Sequence, residues 1–126
     1  MTDYLLVLDV ETTSPDPDTA RVVQIGAVKV TPNACPDGDP IGVLVNPDCE
    51  IPEEASAIHG IRYADVWQCD DFATVWHRDI EPLVAGAAAI VTFNGRNFDL
   101  PVLLREISDT SSVLASRPHI DVRAFV

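Results

Sequence analysis

Apolar residues along this chain fall into short blocks, and the spacing within each block separates strands from helices. Tyr4 to Leu8 (YLLVL) is continuous and short, as in a central strand. Val22 to Val30 (VVQIGAVKV) is rich in β-branched residues and predicts a second strand. Ile41 to Val45 (IGVLV) predicts a third, stopped by Asn46-Pro47. Between them, SPDPDT (14–19) and TPNACPDGDP (31–40) carry the Pro, Gly, Asn and Asp of loops, so the three strands read as an antiparallel meander.

The pattern then changes period. Pro52-Glu53-Glu54 suits the opening of a short helix, because Pro and acids fit a first turn. Asp70 or Asp71 is placed to cap a longer helix, on which Phe72, Val75, Trp76, Ile80, Leu83 and Val84 share one face. Pro82 should kink that helix or end it early, and Gly86 should stop it. Ala88 to Phe93 (AAIVTF) predicts a fourth strand. Leu100, Leu103, Leu104 and Ile107 follow the spacing of a helix with Pro101 in its first turn. His119 to Val122 (HIDV) predicts a short fifth strand. The order βββαβαβ points to one α/β domain over residues 1–126, with a mixed sheet.

Composition narrows the class. At 126 residues and 47% hydrophobic, the chain can bury a real core, and no apolar run approaches the roughly 20 residues of a membrane span. No secretory signal pattern opens the sequence, and Cys35, Cys49 and Cys69 form neither a C-x-x-C pair nor an even set, so a reducing cytoplasm is expected. The net charge of −12, with Lys29 the only lysine, argues against a general nucleic-acid binder but not against an enzyme that meets phosphates through metal ions. The same acidity suits a high-salt source, and GC-biased coding would produce it as well.

Candidate chemistry sits where apolar strands end. In LDVETT (8–13), Asp9 and Glu11 are two apart, and side chains two apart on a strand point the same way. Two such carboxylates repel unless a counter-charge joins them, and Mg²⁺ or Mn²⁺ suits oxygen ligands. The bland alternative is a solvated strand end. TFNGRNFDLPVLL (92–104) repeats the form, with Asp99 at a helix start. Here the alternatives are an N-cap for Asp99 and a core or staple residue for Phe98. Asp9, Glu11 and Asp99 would nevertheless lie at the same end of neighbouring parallel strands.

LDVETT, VVQIGAVKV, NPDCEIPEEASAIHGI and FNGRNFDLPVL, in this order, resemble the DnaQ-like (DEDD) 3′–5′ exonucleases, which have the ribonuclease H-like fold. The resemblance implies a two-metal site of Mg²⁺ or Mn²⁺ on Asp9, Glu11 and Asp99, with these acids catalytic. It implies substrate contacts from Thr12, Thr13, His59, Asn94 and Phe98. It further implies single-stranded DNA or RNA 3′ ends as substrate, and a polymerase or another replication or repair protein, as in DNA polymerase III epsilon, as partner.

The match has a gap. The family's third motif, H-x₄-D or Y-x₃-D on a later helix, has no counterpart, since after Asp99 only Glu106, Asp109 and Asp121 are acidic. The chain therefore reads as such a domain without its C-terminal helices, with an uncovered sheet face open to self-association and with doubtful activity as it stands. In the family, an Asp like Asp121 marks the last strand without binding metal. Two alternatives stay open. One is a degenerate module of the same fold that binds without cutting. The other is a haloacid dehalogenase-type phosphatase, which LDVETT loosely resembles but whose downstream lysine has no candidate besides Lys29.

Overall fold

The computed structural model describes residues 4–33, 35–107 and 113–125. Five strands form one mixed sheet in the order β3-β2-β1-β4-β5. They are β1 (Leu5–Thr12), β2 (Val22–Val30), β3 (Ile41–Leu44), β4 (Ala89–Thr92) and β5 (His119–Asp121). The first three pair antiparallel, as their short loops require, while β4 runs parallel to β1 and β5 parallel to β4. The helical segments are α1 (Glu53–His59), α2 (Tyr63–Val66), α3 (Phe72–Val75), α4 (Glu81–Gly86), α5 (Asp99–Ile107) and α6 (Val113–Ser116). No helix among the described residues is long and apolar enough to cross a membrane.

The two sheet faces differ. Leu6, Leu8 and Val10 of β1, with Ile25, Ala27 and Ile90 opposite, join the main core under α3 to α6. Trp76 is fully buried there and stacks on Phe72 with ring centroids 5.9 Å apart. On the other face, Val23 packs with Ile61 and Val66 in a smaller cluster. Further along that face Asp9 is exposed, and Phe93, Ile120 and Val122 are 64%, 38% and 39% exposed.

Three local outcomes depart from the pattern. β1 runs to Thr12 rather than stopping at Leu8, because Val10 stays in the core while Asp9 and Glu11 project from the open face opposite Gly26 and Gln24. The helix before β4 does not end at Pro82. A π turn over Trp76–Ile80, closed by the Glu81 N–H on the Trp76 carbonyl, sets Pro82 in the first turn of α4, where its missing N–H and its ring do no harm. The four-residue α2 had no apolar periodicity to announce it; Asp65 Oδ2 accepts the Arg62 N–H at 2.9 Å and closes its first turn.

Candidate active site

The C-terminal end of β1 forms one wall. A register shift between Glu11 and Thr12 lets the chain leave the sheet there. The Thr13 N–H donates to the Arg21 carbonyl at 2.9 Å, and the buried Thr13 Oγ1 accepts the Arg21 N–H at 3.0 Å, so this threonine closes the loop back onto β2. Thr12 Oγ1 donates to the Ser14 carbonyl at 2.8 Å.

The facing wall is α1, fixed by the HGI triplet. The Ile61 N–H donates to His59 Nδ1 at 3.0 Å. The ring proton therefore sits on Nε2, which donates to the Thr12 carbonyl, also at 3.0 Å. Gly60, at φ 77°, supplies the left-handed turn that brings the chain back under the ring. Between these walls lies a cleft of about 550 Å³, lined by Glu11, Thr12, Ile58, His59 and Phe98 among others.

The second arm comes from β4. Beyond Thr92 the strand turns through Asn94, at φ 61°, and Gly95, where a Cβ would stand 2.1 Å from Thr92 Oγ1. β4 pairs with β1 no further than Val7↔Val91, so the Val10 N–H meets no strand carbonyl. Asp99, first residue of α5 and 6% exposed, supplies the acceptor: Val10 donates to its Oδ2 at 3.1 Å. Asp99 thus reaches from the β4 side to β1, beside Asp9.

Electrostatics follow from that placement. Burial pushes Asp99 up to about 6; the Val10 N–H opposes this, and the charges of Asp9 and Asp121 add to it. Asp9 is raised as well, by burial, and the Val10 N–H offsets part of the rise. For Asp121 burial works upward, but the N–H groups of Arg96, Asn94 and Arg123 outweigh it and hold the carboxyl below the usual range. Those donors lie 3.2, 2.7 and 3.1 Å from its oxygens. Among the described residues no three His, Cys, Asp or Glu side chains are gathered as a metal cluster. The donor chemistry of Asp9 and Asp99 still fits one hard cation: two mutually repelling carboxylates, one of them buried, with Glu11 on the same strand face as Asp9.

The family model described as Exonuclease (RNase_T) matches residues 6–126. The chain belongs to this DnaQ-like exonuclease family. It is 32% identical over 104 residues to DNA polymerase III subunit epsilon of Rickettsia prowazekii (strain Madrid E), covering 82% of this chain and 44% of that protein. It is 33% identical over 114 residues to a DNA polymerase III subunit epsilon-like protein of Rhodobacter capsulatus, covering 78% of this chain and 16% of the relative. The chain thus spans less than half the length of these curated relatives. In fold it is similar to the ExoI/SSB-Ct complex structure, with a TM-score of 0.83 at 19% identity over 97% of this chain and 29% of that one. Escherichia coli Exonuclease I bound to a dT13 oligonucleotide gives 0.81 at 21% identity over 95% and 28%.

Within this exonuclease domain the expected site residues separate into groups. Asp9 and Asp99 are brought together, and Glu11, Thr12, Thr13, His59 and Phe98 line the cleft. Asn94 stands apart from the cleft lining, at the end of β4, where its backbone meets Asp121. Glu106 is held inward: its side chain is 7% exposed and Oε1 lies 2.7 Å from Arg21 Nε. Asp109 lies outside the described residues. Lys29 lies 5.0 Å from the Tyr4 ring centroid and pairs across the sheet with Leu6, three residues before Asp9, so the lysine of the phosphatase alternative is spent elsewhere. Sequence reading missed Ile58, 84% exposed at the cleft edge; the signal was an isolated Ile three residues after the buried Ala55 on an otherwise polar helix. It also missed Asp121 as the acceptor of three backbone N–H groups, which no side-chain pattern encodes.

Proposed function

We propose that this domain hydrolyses phosphodiester bonds at the 3′ end of single-stranded nucleic acid, with Asp9, Glu11 and Asp99 holding divalent metal. The observation that carries the reading is the juxtaposition of Asp9 and Asp99 beside the Val10 N–H, next to a cleft that Glu11 lines. Mg²⁺ or Mn²⁺ there would polarise the scissile phosphate and lower the pKa of an attacking water. The chain's own residues do the rest. Ile58 and Phe98 offer apolar surface for the terminal base, and the His59–Thr12 hydrogen bond keeps the cleft walls at a fixed separation.

Two features favour a slow reaction. Both ring nitrogens of His59 are engaged, so it is not placed as the general base. Glu106 is paired to Arg21 and Asp121 to three backbone N–H groups, so neither is placed to add a ligand beside Asp9 and Asp99. Loss of a general base costs about 10²–10⁴ in rate. The engaged His59 ring also favours a second reading, a module that binds 3′ ends without cutting. The names of the relatives support a polymerase as partner, and the reducing cytoplasm stays an expectation from the cysteine pattern.

The test is hydrolysis of a p-nitrophenyl ester of thymidine 5′-monophosphate, which needs the acid site and no strand. Release of nitrophenol that requires Mn²⁺ and disappears in Asp9→Ala supports the hydrolase. Metal binding without release supports the binding module.

A further inference from the structure

One helix grips the first wall of the cleft at two points. Asp99 and Glu106 both lie on α5, and their sequence spacing puts them on one face about two turns apart. Asp99 takes the Val10 N–H, while Glu106 meets the side chain of Arg21, whose backbone is bonded twice to Thr13. Glu11 and Thr12, which line the cleft, therefore lie on β1 between two attachments to the same helix.

The loop that follows β1 is tied to α5 as well. The Asp16 carbonyl accepts the Thr19 and Ala20 N–H groups at 3.1 and 2.9 Å, and the Asp16 N–H donates to Ser14 Oγ at 3.0 Å, so residues 14–20 are bonded into one piece. Arg105 holds that piece with its fork: Nε donates to the Pro17 carbonyl at 3.3 Å and Nη2 to the Ala20 carbonyl. Ser14 and Pro15, at the near end of the piece, line the cleft. The attachment is built from charge where apolar contact would hold a helix as firmly. The Glu106 side chain is 7% exposed against Arg21, and Arg105 Nη1 lies 3.8 Å from the same carboxylate oxygen. A buried ion pair adds little stability over apolar side chains of similar size, so what this cluster contributes is a fixed geometry.

We infer that Arg105 and Glu106, together with Arg21, are positioning residues of the cleft: they hold the end of β1 and its loop in the arrangement that receives a nucleotide. The choice of a nucleotide as occupant rests on the hydrolase reading above. The test is calorimetric titration of the full chain with thymidine 5′-monophosphate in Mn²⁺, below the melting temperature of every variant. A wall that keeps its binding form about one-tenth of the time lowers affinity about tenfold, and this loss is expected for Arg105→Ala, Arg21→Met and Glu106→Gln. Arg105→Lys should lose as much, because one ammonium does not reproduce a fork on two carbonyls, whereas Arg21→Lys keeps the charge pair and should recover most of the affinity. Arg78→Ala breaks an exposed ion pair outside the cleft lining and should bind as wild type. Circular dichroism checks that each variant is folded. Folded Arg105 and Glu106 variants that melt earlier yet bind within about twofold of wild type would overturn the positioning role and leave the acid site standing. A wild-type chain that binds no nucleotide would overturn it together with the reading of the cleft.

Discussion

The Val10 N–H donates to Asp99 Oδ2 across 3.1 Å, so a carboxylate from the start of α5 takes the place that a longer β4 would have filled on β1. This bond holds two acids from distant parts of the chain together, and most of the expected behaviour follows from it.

Stability should depend on pH through Asp99. In the fold its carboxyl keeps its proton up to about pH 6, against an ordinary value of 3.8. Between those values the folded state binds more protons than the unfolded one, so stability falls as pH rises from about 4 to 6, by on the order of 3 kcal/mol. Asp99→Asn keeps an acceptor for Val10 and removes the charge. Urea unfolding should find this variant more stable than wild type at pH 7.5 and nearly equal to it at pH 4. An equal difference at both pH values would mean that the buried charge is not the cause.

Metal should stabilise the chain by relieving the same repulsion. A ligand at ten times its dissociation constant adds about 1.4 kcal/mol, read as a rise in melting temperature. Glu11→Gln should slightly raise metal-free stability and weaken or abolish the Mn²⁺ response. An undiminished response in that variant would remove Glu11 from the site.

Gly95→Ala should be severely destabilising. A Cβ there meets Thr92 Oγ1 at 2.1 Å and Thr92 Cβ at 2.4 Å, and neither can retreat from a strand end 3% exposed. The expected loss is about 3 kcal/mol or more, by overpacking. A melting temperature within a degree or two of wild type would show that the turn after β4 has room to move.

His59→Ala should lower stability by roughly 1–3 kcal/mol, since it strands the Ile61 N–H and removes the tie from α1 to Thr12. The fold should survive, because the main core lies on the other face of the sheet. Denaturant unfolding checks the first statement and an unchanged circular dichroism spectrum the second.

The sheet was legible in the sequence because its strands carry β-branched runs bounded by Pro, Gly and Asn, as around Val22–Val30. Asp9 and Glu11 hid the true end of β1, since acids on an open face look like loop residues until the opposite strand is known. The π turn was invisible because one extra residue in a helix leaves the apolar stripe almost unchanged. Asp9, Glu11 and Asp99 stood out in the sequence because each follows an apolar run. The partners of Asp121 and Glu106 were not legible, because they are backbone amides and an arginine far away in sequence.

The most direct measurement of the account is the fate of a 5′-labelled single strand incubated with the full chain and Mn²⁺, beside Asp9→Ala. The account predicts slow, metal-dependent shortening from the 3′ end, lost in the variant. Internal cuts, or the same products from both proteins, would contradict it.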